Sequence, residues 1–413
     1  MFKYLVAFVL LTPLVGIWLV EAGEYAGSVG VDGSANGAAS AYLRYALGVA
    51  AVAFVLVRWP RRSTVLAPRP IQHSDAAFRQ FSTNLLAFNA IFLVIFLFVF
   101  GAIDVWTGAV GKGEFRVKLG AFGALPNMMT KFIVPALLAY LAVLYSRSSR
   151  RPPWRLQMTM NFGIAFVIGA SWGFKSTALF VLIPALLLLN WRIRVGTLIR
   201  LGLLFTAVLV GFFELFDAGV ELDTDVQTFL LRRITVLQGD VAWYIWGLYK
   251  DGQAFPNYWP TLLAAASDTV LTLSGLSRAE TYQWMDYHYD WMITSLAGAP
   301  IDQIAEGHSI TATPFAEGLV AGGLAGVALF TLIGGLLVGG TYRYLDRCLR
   351  RGDATRASLV STYFCFCIFP WLNGGGIVQL FHVSLVVSVG STLLVMKAMR
   401  RFRFASRRRL ETA

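Results

Sequence analysis

The chain has 413 residues, of which 57% are hydrophobic and only 14% charged, yet its net charge is +12. Its apolar residues come in runs of roughly 18 to 25, long enough to cross a hydrocarbon layer of about 30 Å, which excludes an ordinary soluble domain. Leu85 to Phe100 and Ala178 to Leu189 are apolar on every face, which excludes the alternating strands of a membrane β-barrel.

The candidate spans are 2–20, 41–58, 84–106, 128–146, 157–173, 175–191, 199–216, 314–341, 357–372 and 376–396. The expected fold is therefore an all-α polytopic membrane protein of about ten transmembrane helices. It forms a single integral membrane domain over residues 1–413, with one large helical loop, 217–313, between the seventh and eighth spans. The first segment has the short basic start of a signal peptide and small residues after it, but so many spans follow that we read it as an uncleaved helix.

Threading the spans from a cytoplasmic start puts five joints inside: Arg58 to Arg79, Arg147 to Arg155, Arg192 to Arg200, Arg343 to Arg356, and the tail from Lys397 to Arg409. With Lys3 they hold 25 of the 35 Lys and Arg residues, so the positive-inside rule orients the chain and puts both termini in the cytoplasm. The positive charge thus reads as topology, with the tail set against anionic lipid, and no nucleic-acid partner is expected. Cys348, Cys365 and Cys367 have no metal-ligand spacing, and neither a disulfide framework, a metal nor a cofactor is expected.

The outer side then holds Glu21 to Ser40, Thr107 to Lys131, a tight turn at Gly173 to Lys175, the long loop, and a turn at Asn373 to Gly376. The ten remaining cations include Lys112, Lys118, Lys175, Arg232, Arg233 and Arg278, on a face where basic residues are not expected. Within the loop, Asp225 to Leu248 has helical spacing, with Arg233, Asp240 and Tyr244 along one face and Arg232, Gly239, Trp243 and Trp246 along the next. Adjacent arginines suit a phosphorylated group, because guanidinium grips phosphate oxygens two at a time and stays charged; they equally suit lipid headgroups. Trp243, Trp284, Tyr287 and their aromatic neighbours suit the apolar faces of sugars or, as well, the membrane interface.

Thr313 and Pro314 form a cap and first turn for the eighth span. Gly318, Gly322 and Gly326 follow at intervals of four, as do Gly335 and Gly339, spacing that admits close helix packing. Glu317 lies one turn into a membrane helix, where a carboxylate is costly unless paired or wet, and so is a functional candidate; an ion pair with Lys175 or a loop arginine is the alternative. His308, just outside, is placed to carry a proton or bind phosphate. His382 and Gln379 read as an interhelical contact.

Three stretches carry a family resemblance: Gly173–Phe174–Lys175–Ser176–Thr177, Arg232–Arg233–Ile234 running on to Gln238–Gly239–Asp240, and His308–Ser309 running to Glu317. With the layout of many spans and one large loop, they resemble the Wzy-type O-antigen or oligosaccharide-repeat-unit polymerases of bacterial inner membranes. The resemblance implies a metal-independent glycosyltransferase of the membrane GT-C class, active on the periplasmic face. Its partners would be an undecaprenyl-diphosphate-linked glycan, membrane lipid and a chain-length regulator protein. Arg232, Arg233, Lys175 and Arg278 would stabilise the diphosphate leaving group. Glu317, His308 or Asp240 would serve as base, and Trp243, Trp284 and Tyr287 would meet the glycan.

The O-antigen ligases share this plan, and His308–Ser309 with Gly323 and Gly326 looks like their signature, but the spacing to the glycines is longer and the span count lower. A lipid-linked-glycan transporter would need charges and broken helices deep in several spans, whereas Asp104, Lys175, Glu214 and Glu317 gather near one face. An acyltransferase using His382 rests on one residue.

Overall fold

A computed structural model gives the structure, which describes residues 1–24, 36–59, 75–148, 151–173, 175–191, 193, 196–197, 200, 235–255, 293–294, 312–381 and 383–401. In chain order the helices are α1 (Phe2–Glu21), α2 (Ala38–Arg58), α3 (Asp75–Val94), α4 (Ile103–Trp106), α5 (Lys112–Leu119), α6 (Ala124–Met128), α7 (Val134–Arg147) and α8 (Arg151–Ala170). There follow α9 (Lys175–Phe180), α10 (Ile183–Leu189), α11 (Leu237–Lys250), α12 (Pro314–Arg351), α13 (Ala354–Tyr363), α14 (Phe369–Gly374) and α15 (Val383–Arg401). No strand occurs among the described residues. Six helical stretches are long and apolar enough to cross a membrane: Phe2–Glu21, Ala38–Arg58, Asp75–Val99, Ala124–Arg147, Pro314–Arg351 and Ile377–Arg401. The protein is an all-α membrane protein.

The expected span 175–191 divides into α9 and α10, and Pro184 sits at the start of α10, where its missing N–H costs nothing. The expected span 199–216, apart from Arg200, and most of the loop 217–313 lie outside the described residues.

The chain forms two compact units. One comprises Met1–Ser63, Arg192–Arg343 and Cys367–Val383. Here Glu21, at the end of α1, accepts hydrogen bonds from the Gly37 amide at 2.6 Å and the Ala39 amide at 2.8 Å. A carboxylate on the first amides of α2 satisfies donors the helix leaves free and complements its dipole, so it closes the α1–α2 hairpin. Glycine decides how α11 crosses α1. A Cβ on Gly239 would lie 2.6 Å from the Pro13 carbonyl oxygen, and one on Gly16 would lie 2.7 Å from the Thr235 carbonyl carbon, so the backbones touch.

Gly335 and Gly339 do for α12 against α2 what their spacing predicts. Added Cβ atoms would meet Val52 Cγ1 at 2.6 Å and the Ala53 carbonyl at 3.0 Å. At the far end of this pair the Arg343 Nη1 donates to the Leu56 carbonyl at 2.9 Å, and Phe2 packs on Tyr342. Basic residues and the start of α1 therefore share one end of the unit, while the α1–α2 turn takes the other.

The second unit comprises Thr64–Trp191, Tyr344–Phe366 and Ser384–Ala413. Its centre is α7, the core of a stretch, Ala124–Arg147, that is 83% buried where the other five span candidates are 25 to 39% buried. Residues 134 to 144 are all buried, against α3, α8, α10 and α13. Polar side chains at this depth need internal partners, and several have them: Asn161 Nδ2 donates to Ser82 Oγ at 3.0 Å, Asn84 Nδ2 to the Met399 carbonyl at 2.8 Å, and Trp172 Nε1 to Thr130 Oγ1 at 2.9 Å, whereas the amide of Asn89 has none among the described residues.

Candidate functional site

The eighth expected span contains a break. Gly323 takes φ +60° and ψ −141°, a conformation open to glycine and strained for other residues, and Gly322 beside it is extended. The break separates an arm, 314–321, from a shaft, 324–351. The arm folds back on the shaft: a Cβ on Gly318 would stand 2.7 Å from the Val327 Cα. In an unbroken helix, residues nine apart are separated by about 13 Å. The glycines at 318 and 326 thus admit close packing, as their spacing predicts, but the helix that approaches is the chain's own.

The break also lies at a definite distance along α12 from Arg343. The 19 steps from Leu324 to Arg343 rise about 29 Å, the thickness of a hydrocarbon layer. With Arg343 at one end of the unit, the glycine break lies at the opposite end and not at the middle.

Glu317 sits on the arm and is fully buried. Its Oε2 accepts from Trp371 Nε1 at 3.0 Å and its Oε1 from the Ile377 amide at 2.7 Å. These donors flank Gly375 and Gly376, both at positive φ, which turn the chain between α14 and Ile377–Leu380. The expected turn at Asn373 to Gly376 is therefore present, and Glu317 clasps it. Two charge-assisted hydrogen bonds, one to an indole and one to a main-chain amide, make this a positioning device that fixes the arm against the turn.

Phe315, two residues earlier, is the hub of an aromatic group. Its ring centroid lies 5.7 Å from that of Tyr42, 6.1 Å from Tyr45 and 5.9 Å from Trp246. Trp246 belongs to α11, whose Trp246 Nε1 and Lys250 Nζ both reach the Asn36 carbonyl beside the α1–α2 turn, at 3.4 and 3.3 Å. One turn beyond, Tyr249 fills the space that a Cβ on Gly323 would enter, at 3.0 Å. Helix α11, the arm and the glycine turn therefore meet at the end of the unit away from Arg343.

Of the sequence-based candidates, this unit brings Glu317, Asp240 and Trp243 into buried positions. Asp240 lies in the first turn of α11 and accepts from the Val241 amide at 2.7 Å. The indole N–H of Trp243 has no partner. Lys175 begins α9 in the other unit, just after the turn at Gly173, whose φ of +72° ends α8 as expected. Arg232, Arg233, Arg278, His308, Trp284, Tyr287 and His382 lie outside the described residues.

Sequence reasoning missed Tyr42, Tyr45, Phe315 and Trp371. Tyrosines three apart near a helix end read as interfacial anchors, and only the third dimension turns them inward. No group of three or more His, Cys, Asp or Glu able to hold a metal occurs among the described residues. Comparison with protein-family models, with curated proteins and with solved structures finds no match to this chain.

Proposed function

We propose that the protein is a polymerase of undecaprenyl-diphosphate-linked oligosaccharide repeat units, resembling the Wzy type. The observation that carries this reading is that two of the three stretches behind the resemblance, the one ending at Gly239–Asp240 and the one ending at Glu317, belong to helices that meet at one end of a single compact unit. The depth of the glycine break favours a reaction at one membrane face over a transporter, whose broken helices meet near the midplane. The finer arrangement belongs to the proposal: about ten spans, loop 217–313 on the periplasmic face of a bacterial inner membrane, both termini cytoplasmic, and a chain-length regulator as partner.

The reaction joins an acceptor hydroxyl of one lipid-linked unit to the anomeric carbon of the growing glycan. The bond from that carbon to the lipid diphosphate breaks, the diphosphate leaves with the electron pair, and the hydroxyl proton passes to a base. Arg232, Arg233, Arg278 and Lys175 are assigned to the developing negative charge, which fixed cations stabilise without a metal. Glu317, His308 or Asp240 is assigned as base, and Glu317 also holds the arm through the hydrogen bonds it accepts from Trp371 and Ile377. Trp243, Trp284 and Tyr287 are assigned to the glycan.

Alanine at each of Arg232, Arg233, Arg278 and Lys175 tests the charge assignment in cells lacking the endogenous polymerase. A surface-polysaccharide gel is expected to collapse from a ladder to single repeats for these variants at wild-type protein levels. A full ladder from all four sinks the assignment.

A further inference from the structure

The buried hydroxyls of this protein divide into two kinds. Thr12, Ser171, Ser361, Thr362 and Thr392 each donate to a carbonyl three or four residues back in their own helix. A serine or threonine reaches that carbonyl easily, so within a helix it can satisfy itself, although the Thr313 Oγ1 at the start of α12 makes no such bond. A phenol cannot, because its ring holds the hydroxyl well away from its own backbone. Tyr42 and Tyr45 are 0 and 2% exposed, and neither hydroxyl has a hydrogen-bond partner among the described residues. Single unpartnered groups such as those of Asn89 and Trp243 occur elsewhere, but here two such hydroxyls stand side by side on one aromatic cluster, an arrangement suited to an occupant.

The surroundings define that occupant. The two phenol rings lie 5.6 Å apart, three residues apart on α2, with Phe315 packed edge-on to Tyr42. Trp246 covers Phe315 and is only half-buried, so its outer edge faces the surface. Its indole N–H donates to the Asn36 carbonyl at 3.4 Å. A site of this kind offers apolar ring faces and two groups that each donate and accept a hydrogen bond. A phosphate would ask for cations turned toward the phenols, whereas Arg44, between them in the chain, is exposed and Lys250 reaches the same Asn36 carbonyl. A ring with apolar C–H faces and several hydroxyls fits.

We propose that Tyr42 and Tyr45, with Phe315 and Trp246, form a subsite for one sugar ring of the glycan, the phenol hydroxyls binding its hydroxyl groups. The inference rests on the polymerase reading and adds to it a recognition site on the second helix, outside the three stretches behind the resemblance. It places sugar recognition beside the Glu317 clasp, so that the arm, the glycine turn and the bound ring form one assembly.

The test uses the full chain in lipid nanodiscs and equilibrium binding of two radiolabelled probes: an undecaprenyl-diphosphate-linked tetrasaccharide repeat and undecaprenyl diphosphate alone. The Tyr42→Phe/Tyr45→Phe double variant is expected to bind the glycolipid at least about tenfold more weakly, or ~1.4 kcal/mol. Its affinity for undecaprenyl diphosphate should be unchanged. Its unfolding temperature should equal or exceed that of wild type, since it loses only unpartnered hydroxyls. Equal weakening for both probes, no weakening, or a lowered unfolding temperature overturns the subsite, the last because it means the hydroxyls hold protein partners. The single variants apportion the effect between the two rings. Chain growth is scored in the same preparation. Growth with tyrosine-independent binding overturns the subsite and leaves the polymerase, while tyrosine-dependent binding without growth overturns the polymerase and leaves a glycan site.

Discussion

Replacing Glu317 separates a positioning role from a catalytic one. In the structure its carboxylate is sealed from solvent and holds the Trp371 indole at 3.0 Å and the Ile377 amide at 2.7 Å. Glu317→Ala removes both acceptors and strands two buried N–H groups, each costing about 1–3 kcal/mol, so the expected loss is about 2–6 kcal/mol. A typical domain has only ~5–15 kcal/mol of stability in all. Glu317→Gln keeps the shape and one acceptor but turns its own amide N–H toward the other donor, and should lose roughly half as much. Trp371→Phe removes one donor, and the double-mutant cycle with Glu317→Gln should show a coupling of about 1 kcal/mol or more. Unfolding in nanodiscs, followed by tryptophan fluorescence, reads all four proteins. Wild-type stability of Glu317→Ala would refute the clasp, and wild-type stability with complete loss of glycan transfer would leave Glu317 the role of base.

Helix contact through glycine makes a second prediction. Gly239→Leu must push α11 off α1, where the Pro13 carbonyl already stands 2.6 Å from the would-be Cβ, and should cost about 1–3 kcal/mol or more and lower the yield of folded protein. Gly163→Ala and Gly390→Ala, where a Cβ meets nothing within 4 Å, should stay within about 0.5 kcal/mol of wild type. Sidedness is open to thiol labelling, because Cys348, Cys365 and Cys367 are buried and should give little background. In intact cells a cysteine at Gly252 should react with an impermeant reagent and one at Arg351 should not, and the reverse pattern contradicts the proposed orientation.

Much of the fold was legible because membrane helices follow composition. All six membrane-length stretches coincide in core with single expected spans, and 376–396 matches Ile377–Arg401 almost to its start. The Gly173 and Asn373–Gly376 turns were legible for the same reason: glycine clusters between apolar runs mark reversals. What local pattern does not carry is partner identity. Glu317 was weighed only against lysine and arginine, and nothing in the sequence hinted that an indole 54 residues away and a main-chain amide 60 residues away would also donate to it. Its cost in a membrane was readable, but the neutral dipoles that meet it come from a turn placed by tertiary packing. The break at Gly323 is similar. A four-residue glycine spacing fits both a straight packing face and a folded-back arm, and only φ at one residue distinguishes them.

The central claim is that this chain makes glycosidic bonds between lipid-linked repeat units. The most direct measurement gives the purified protein in liposomes undecaprenyl-diphosphate-linked repeat units, with no other protein and with a chelator present, and resolves the products by size. A series of glycans growing by whole repeats, with undecaprenyl diphosphate released in step, is the predicted result. Transfer seen only after lipid A core is added would identify a ligase instead, and no new glycosidic bond under either condition would contradict the account.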